Sequence, residues 1–353
     1  MMYRTNPFIQ PFLLLIDIVG YLLFFWLKFR RLSEPKRILL IRLEHVGDVL
    51  LTTPAIRALR KRFPRARIDI LVRDFTAPIL QYNKNINKVI VWNAPWLSKL
   101  GVRSSWFDCV RIITQLRRNK YDLAIDFHGD PRNILLASLV AHYRVGFGVR
   151  GFGFLLNKIV TYGRQHVIDR NLAVARELGA DVRDNNMELS PNQSDVRFAT
   201  QTLRNLGKVV CIAPGSGREE KNWIPARWAT VADTLIEQDG VTILFTGSKR
   251  EAAMVGGIKR MMRHANRTID VCGKTSLTQL AALVKQCVLV LSPDSGTMHI
   301  ARAMNTPLIG LFTVENPREW GYREHLFQHS KAQRAQDITV ERVLQKISQL
   351  RVL

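Results

Sequence analysis

RILLIRLEHVGDVLLTTPAIRALRKRFP, residues 37–64, is the stretch on which the fold turns. Arg37 to Leu43 is an apolar run of strand length, Gly47 and Asp48 make a turn, and Val49 to Phe63 carries apolar residues at helical spacing. Strand, loop and helix in that order open a parallel sheet covered by helices. Working outward, Ile68 to Val72, Lys88 to Trp92 and Leu123 to Phe127 read as further strands, with a helix over Ser105 to Arg118. The first lobe is therefore Rossmann-like. Asp181 to Ser194 (DVRDNNMELSPNQS) is polar, aperiodic and contains Pro191, which marks a linker there or shortly after. Beyond it, strands over Val209 to Ala213, Val241 to Thr246, Val288 to Leu291 and Pro307 to Phe312 are separated by helices over Ala226 to Gln238, Lys249 to Met262, Leu277 to Lys285 and Met298 to Met304. A last helix covers Val340 to Leu350. The expected architecture is α/β: two Rossmann-like domains, residues 36–190 and 191–353, with parallel sheets facing a central cleft, preceded by a hydrophobic segment over residues 1–35.

A chain of 353 residues suits two domains, each with its own core, and 47% hydrophobic residues is the content of a folded protein. The net charge of +23 then sits on a folded surface and asks for an anionic partner: nucleic acid, acidic phospholipid or phosphorylated glycolipid. No zinc-finger spacing, RNP-like aromatic stretch or basic heptad helix is present, so nucleic acid is not expected. Cys109, Cys211, Cys272 and Cys287 lie far apart without a CxxC pair, against zinc and against a disulfide framework.

Phe8 to Leu27 (FIQPFLLLIDIVGYLLFFWL) is about as long as a hydrocarbon core is thick. Asp17 lies in its middle, where a charge costs roughly 2.5–3.5 kcal/mol on insertion scales. A helix lying in the membrane interface therefore competes with a span, and a buried helix of the body is the plainer alternative. Trp26, Leu27 and Lys28 stand where signal cleavage needs small residues, so anchoring is expected rather than secretion. Lys28, Arg30, Arg31, Lys36 and Arg37 follow the segment and only Arg4 precedes it, which leaves the body on the cytoplasmic side.

Two motifs tempt and fail. Gly146, Gly148 and Gly151 spell GxGxxG, but without a strong strand before or a helix after, so a flexible loop is expected. Gly273, Lys274 and Thr275 end like a P-loop, yet Thr268 stands where its first glycine belongs. The chain has no Asp-x-Asp triplet, so a bound diphosphate is expected to be neutralised by protein groups and not by a metal.

The site follows from loop positions. Ser292 to His299 (SPDSGTMH) joins a buried strand to a helix, and the N–H groups of Ser295, Gly296 and Thr297 would face an anion at that helix's positive end. Asp294 accepts from sugar hydroxyls or caps the helix; His299, one turn in, is a structural residue or a support. Pro214 to Lys221 (PGSGREEK) follows the second lobe's first strand, bringing backbone, Ser216 and the Lys221 charge to a ligand. Glu251 accepts from ribose hydroxyls or is an ordinary first-turn glutamate. In the first lobe, Asp48 beside Gly47 is a general base or a plain helix cap. Arg57, Arg60, Lys61 and Arg62 form a basic face for acceptor or bilayer, or a solvated surface.

Four segments in this order, RILLIRLEHVGDVLLTTPAIRALRKRFP, YDLAIDFHGDPRN, IAPGSGREEKNWIPARWA and LSPDSGTMHIARAMNTPLIGLF, resemble the heptosyltransferase family (glycosyltransferase family 9) from Arg37 to about Trp320. The resemblance implies a metal-free GT-B enzyme that moves heptose from ADP-heptose to a lipopolysaccharide core on the cytoplasmic side of the inner membrane. It implies Asp48 as base, Lys221 on the phosphates, Glu251 on the ribose, and Asp294 with Ser295, Gly296 and Thr297 as the sugar and diphosphate loop. Thr313, Val314 and Glu315 depart from the family's Gly-Pro-Thr-like run, and the N-terminal segment is not a usual family feature. A same-fold enzyme with another nucleotide sugar, a sugar-nucleotide epimerase and a silent membrane scaffold are the rival readings.

Overall fold

The computed structural model describes residues 10–100, 105–322, 326–329 and 337–353, and the chain divides into two units, Met1–Asn186 and Met187–Leu353. Residues 1–9, the start of the hydrophobic segment, lie outside the described residues. The first unit runs α1 (Gln10–Phe24), β1 (Arg37–Ile41), α2 (Val46–Leu50), α3 (Thr53–Arg62), β2 (Arg67–Val72), β3 (Lys88–Val91), α4 (Trp106–Arg118), β4 (Tyr121–Asp126), α5 (Pro131–Val140), β5 (Ala141–Gly146), β6 (Lys158–Ile159) and α6 (Val167–Glu177). The second runs α7 (Gln193–Thr202), β7 (Val209–Ile212), α8 (Pro225–Asp239), β8 (Thr242–Phe245), α9 (Ala252–Met261), β9 (Thr268–Asp270), α10 (Leu277–Gln286), β10 (Leu289–Pro293), α11 (Gly296–Ala303), β11 (Leu308–Phe312), α12 (Pro317–Trp320), β12 (Leu326–His329) and α13 (Val340–Leu350).

Each unit holds a six-stranded, all-parallel sheet, ordered β3-β2-β1-β4-β5-β6 and β12-β11-β10-β7-β8-β9. Both are doubly wound, with a switch point between β1 and β4 in one and between β7 and β10 in the other. Strands buried on both faces explain the unbroken apolar runs of β1, β7 and β10. Leu39 and Ile41 of β1 share a core with Ile112 and Leu116 of α4 and Leu136, Ala137 and Val140 of α5, so α4 and α5 cover one face. Ile38 and Leu40 point the other way, to the side that a right-handed crossover assigns to α3, and α6 packs on α3. The second core is anchored by Trp223 and Trp228, whose rings meet edge to face at 5.0 Å.

Three expectations change. The hydrophobic segment is not a separate domain: α1 belongs to the first unit, and its end at Phe24 is followed by a tight 3-10 turn to Phe29. No helix among the described residues is long and apolar enough to cross a membrane. The GxGxxG segment does follow a strand, β5, which its polar residues had disguised, and it is an ordered dock and not a flexible loop. Gly151 (φ 109°) and Phe152 (φ 59°) are left-handed, and Phe152 N donates to Asp17 Oδ1 at 2.8 Å. Asn157 Nδ2 donates to Leu27 O, the Lys28 ammonium donates to Gly153 O and Leu156 O, and the Phe24 ring stacks on Phe154. Finally, the units divide at Asn186/Met187, inside the Asp181 to Ser194 linker and short of the 190/191 bound, and α7 begins within the stretch read as aperiodic. Arg57 is the reason: it pairs with the Asp184 carboxylate at 2.8 Å and donates to Asp184 O and Asn186 O, tying 184–186 to the first unit.

A side chain at Gly20 would run into the Phe154 ring. Gly20→Val should speed trypsin cleavage after Lys28 to Arg31 about tenfold, ~1.4 kcal/mol of local opening, with the global urea midpoint unchanged. Unchanged cleavage would show that this contact does not hold α1.

Candidate active site

In the first unit the chains leaving β1 and β4 diverge at the switch point, and a charged cluster fills the gap. Asp48 is the third residue of α2 and completes a capping box with His45: its Oδ2 accepts from His45 N at 3.1 Å. Its Oδ1 accepts from Arg42 Nη2 at 3.2 Å. Arg42 also donates to Asp48 O and Phe127 O, so one guanidinium joins the two diverging loops. The expected alternatives for Asp48 are thus not exclusive; the residue caps and remains 15% exposed, while Arg42 is 4% exposed. Gly47 is buried in the first turn of α2.

From the β4 side come Asp126, His128 and Asp130, which sequence reasoning passed over. Asp126 accepts from Gly129 N (2.6 Å) and Asn133 Nδ2 (3.2 Å), stapling a left-handed turn at Gly129 to α5. Asp130 caps α5 and pairs with Arg132. Arg150 Nη1 lies 2.6 Å from His128 Nε2, and a guanidinium can only donate, so Nε2 accepts and the ring proton sits on Nδ1. Nδ1 is 3.2 Å from Glu44 Oε1 and donates to it. Burial, with the Arg150 and Arg42 charges, lowers the His128 pKa to about 4, so the ring is neutral. Burial raises Glu44 to about 7 against the pull of Arg42, and burial and the Glu44 charge raise Asp126 to about 6. Asp48 moves the other way: burial would raise it, but the Arg42 charge and the His45 N–H outweigh burial and hold it below the usual carboxylate range. Asp48 is therefore the ionised carboxylate of the cluster that a ligand can reach.

The second unit repeats the design with the sign reversed. The loop after β7 folds on Ser216, whose Oγ donates to Arg218 O (2.7 Å) and also lies 3.1 Å from Asn222 Oδ1, and it ends in a turn carrying Lys221. Lys221 Nζ pairs with Asp294 Oδ2 at 2.7 Å, bridging the loops after β7 and β10, and lies 3.5 Å from Glu315 Oε1. Glu315 also takes Arg218 at 2.8 Å. The residue read only as a departure from a family pattern is thus part of the cluster. Ser295 is the N-cap of α11 without a side-chain cap bond; its hydroxyl meets Ser292 Oγ at 2.8 Å instead, leaving the first-turn N–H groups of Gly296 and Thr297 to a ligand. Asp294 is therefore not the cap. His299 Nε2 sits 3.7 Å from Asp294 Oδ1 and its Nδ1 bonds the Tyr322 hydroxyl, a supporting role. Glu251 closes its own capping box, Oε2 accepting from Ser248 N at 2.5 Å, and its carboxylate packs against Gly215, where a Cβ would push it aside. Among the described residues, no three His, Cys, Asp or Glu side chains are grouped to hold a metal.

Part of the basic face on α3 is engaged within the first unit. Arg57 is used as above, Arg60 donates to Asn85 O, Ala66 O and Asn87 Oδ1, and Arg62 pairs with Glu34. Arg57 and Arg60 thus serve carbonyls and carboxylates of their own unit, while Lys61 and Arg62 of the same face remain exposed.

Two successive doubly wound units, one presenting a carboxylate and the other a cation beside a helix N-terminus, are those of a GT-B glycosyltransferase. Residues 109–347 match the model of glycosyltransferase family 9 (heptosyltransferase). The chain is 30% identical to the lipopolysaccharide core heptosyltransferase OpsX of Haemophilus influenzae, over 81% of each chain. It is also 30% identical to lipopolysaccharide heptosyltransferase 3 of Escherichia coli, over 78% of this chain and 81% of that one. Among solved structures, a family 9 glycosyl transferase from Veillonella parvula superposes with a TM-score of 0.80 at 25% identity, covering 91% of this chain and 98% of that one. An E. coli heptosyltransferase solved with ADP shares the fold, with a TM-score of 0.74 at 20% identity over 89% and 99%. The chain belongs to glycosyltransferase family 9, the heptosyltransferases.

A carboxyl whose folded pKa is raised binds its proton more tightly in the native state, so stability falls as pH rises from the unfolded value through the folded one. For Glu44 that window runs from about 4.5 to about 7. Urea unfolding of wild type and Glu44→Gln should show wild type losing ground to the variant across it, with Asp126, which the Glu44 charge helps to raise, adding in the same direction. A constant difference from pH 4.5 to 7.5 would place the Glu44 pKa at its ordinary value.

Proposed function

We propose that the enzyme transfers heptose from ADP-heptose to a lipopolysaccharide core, or a related anionic glycolipid, with inversion, at the cytoplasmic face of the inner membrane. The second unit holds the donor and the first supplies the base. Asp48 takes the proton of the acceptor hydroxyl as its oxygen attacks the anomeric carbon, and the bond to the diphosphate breaks on the opposite side. Negative charge grows on the departing ADP, where Lys221 and the first-turn amides of α11 strengthen their hold as the transition state forms. Lys221 exchanges part of its pairing with Asp294 for the diphosphate, which frees Asp294 to accept from sugar hydroxyls. Glu251 accepts from the ribose.

The observation that carries this reading is the Lys221–Asp294 pair at the α11 N-terminus, on the carboxyl edge of the sheet at its switch point. The named activities of the relatives above, and a relative solved with ADP, support the donor. Protein cations and helix amides supply the charge that a metal would otherwise bring.

The test is ADP release coupled to a mass gain on heptose-deficient lipopolysaccharide. Asp48→Asn should lower kcat ~10²–10⁴-fold with ADP affinity kept; Lys221→Ala should lower both, and EDTA should leave turnover intact. Full turnover by Asp48→Asn would remove it as the base, and transfer from another nucleotide sugar alone would replace the donor.

A further inference from the structure

The sequence left α1 divided between a membrane span and an interfacial helix because of Asp17. In the structure Asp17 is 3% exposed and faces the body, latched to Phe152 N, with Gly20 and Phe24 on the same inward stripe against Phe154. The outward stripe is wholly apolar: Phe12, Leu15, Val19, Leu22 and Trp26 are exposed. Those spacings of three, four and seven return to one side of a helix. A soluble monomer does not gather so many large apolar side chains on one exposed face without a use for them.

The face does not stop at α1. The Gly153–Leu155 turn packs on both α1 and α5, and α5 packs on α4. On α5, Leu135 and Leu139 are exposed; on α4, Phe107 is 85% exposed and Trp106 and Val110 lie beside it. Arg117 lies seven residues from Val110 and Arg118 eleven from Phe107, so both exposed arginines project from the same side of α4 as the aromatic residues. At the other end Arg30 stacks over Trp26 at 4.6 Å, followed by exposed Arg31. The acids of these three helices are turned inward or used: Asp17 holds α1, and Asp108 closes the capping box of α4.

We propose that the side of the first unit formed by α1, α5 and α4 docks on an anionic phospholipid surface, with α1 lying in the interface and not crossing it. Apolar and aromatic side chains enter the headgroup boundary while arginines at both ends meet lipid phosphates. The proposal builds on the reading that the enzyme works at the inner membrane, and gives that contact a face and an orientation. It puts the docking cations on α4 and after α1, and not on α3.

The experiment is vesicle co-sedimentation of the full chain with phosphatidylglycerol-containing and pure phosphatidylcholine vesicles, comparing wild type, Leu22→Glu/Trp26→Glu and Phe107→Glu. Thermal unfolding and ADP binding report whether each variant is folded. Wild type should bind the anionic vesicles at least tenfold more tightly, both variants should lose tenfold or more, and alkaline carbonate should release wild type. Turnover on a delipidated acceptor should be equal in all three proteins, so failure of docking and failure of the transfer reading are separately visible. Carbonate-resistant protein would mean a span, unchanged binding by Phe107→Glu would remove α4 from the face, and a wild-type dimer broken by Leu22→Glu without loss of vesicle binding would assign the face to a second copy; each overturns the proposal.

Discussion

The rest of the molecule depends on what a doubly wound parallel sheet does at its switch point. Between β1 and β4, and again between β7 and β10, neighbouring strands send their chains to opposite faces, so no crossover covers the carboxyl edge there. Backbone and side chains at that edge must satisfy one another or a ligand. Arg42 spans the first gap by donating to Phe127 O and pairing with Asp48; Lys221 spans the second by pairing with Asp294. Removing either cation would leave a shielded carboxylate without its partner, a larger loss than the pair's own net gain. The two ion pairs therefore serve the fold and the site at once.

What the sequence disclosed and what it hid divide along a physical line. Central strands such as β1 and β10 are buried on both faces and announce themselves as apolar runs, and the loops behind them carry Asp48, Lys221 and Asp294 at positions a one-dimensional reading can find. Three other strands, β5, β6 and β9, do not. β5, AHYRVG, reads as polar because Arg144 is buried by donating to carbonyls of Ala141, His142 and Leu155, which no periodicity reports. β6 and β9 are too short to carry a pattern. The cluster of Glu44, His128 and Arg150 draws on the loops after β1, β4 and β5, so its charges meet only once the sheet order is known.

Asp17 shows the same limit from the other side. A charge inside twenty apolar residues looks like a flaw in a membrane helix, because hydropathy averages over a helix and ignores its faces. Its partner, the Phe152 N–H, exists only because Gly151 and Phe152 adopt left-handed backbone, and the GxGxxG signature owes its last glycine to that bend. One contact accounts for both anomalies.

The units share strand order yet differ in the charge they leave outward. In the first pair the carboxylate is the more exposed partner, Asp48 at 15% against Arg42 at 4%; in the second it is the cation, Lys221 at 15% against Asp294 at 7%. Neighbours enforce each choice. Around Asp48, burial raises the pKa of Glu44 and of Asp126, which weakens the competing negative charge beside it. Around Lys221, Arg218 and the α11 amides add positive potential, while Glu315 keeps the cations from repelling one another. In the proposed reaction, a proton acceptor and an anion receiver would arise from one topology through which member of a single ion pair is turned toward solvent, and a transfer that makes a proton at one reactant and a diphosphate charge at the other needs one of each.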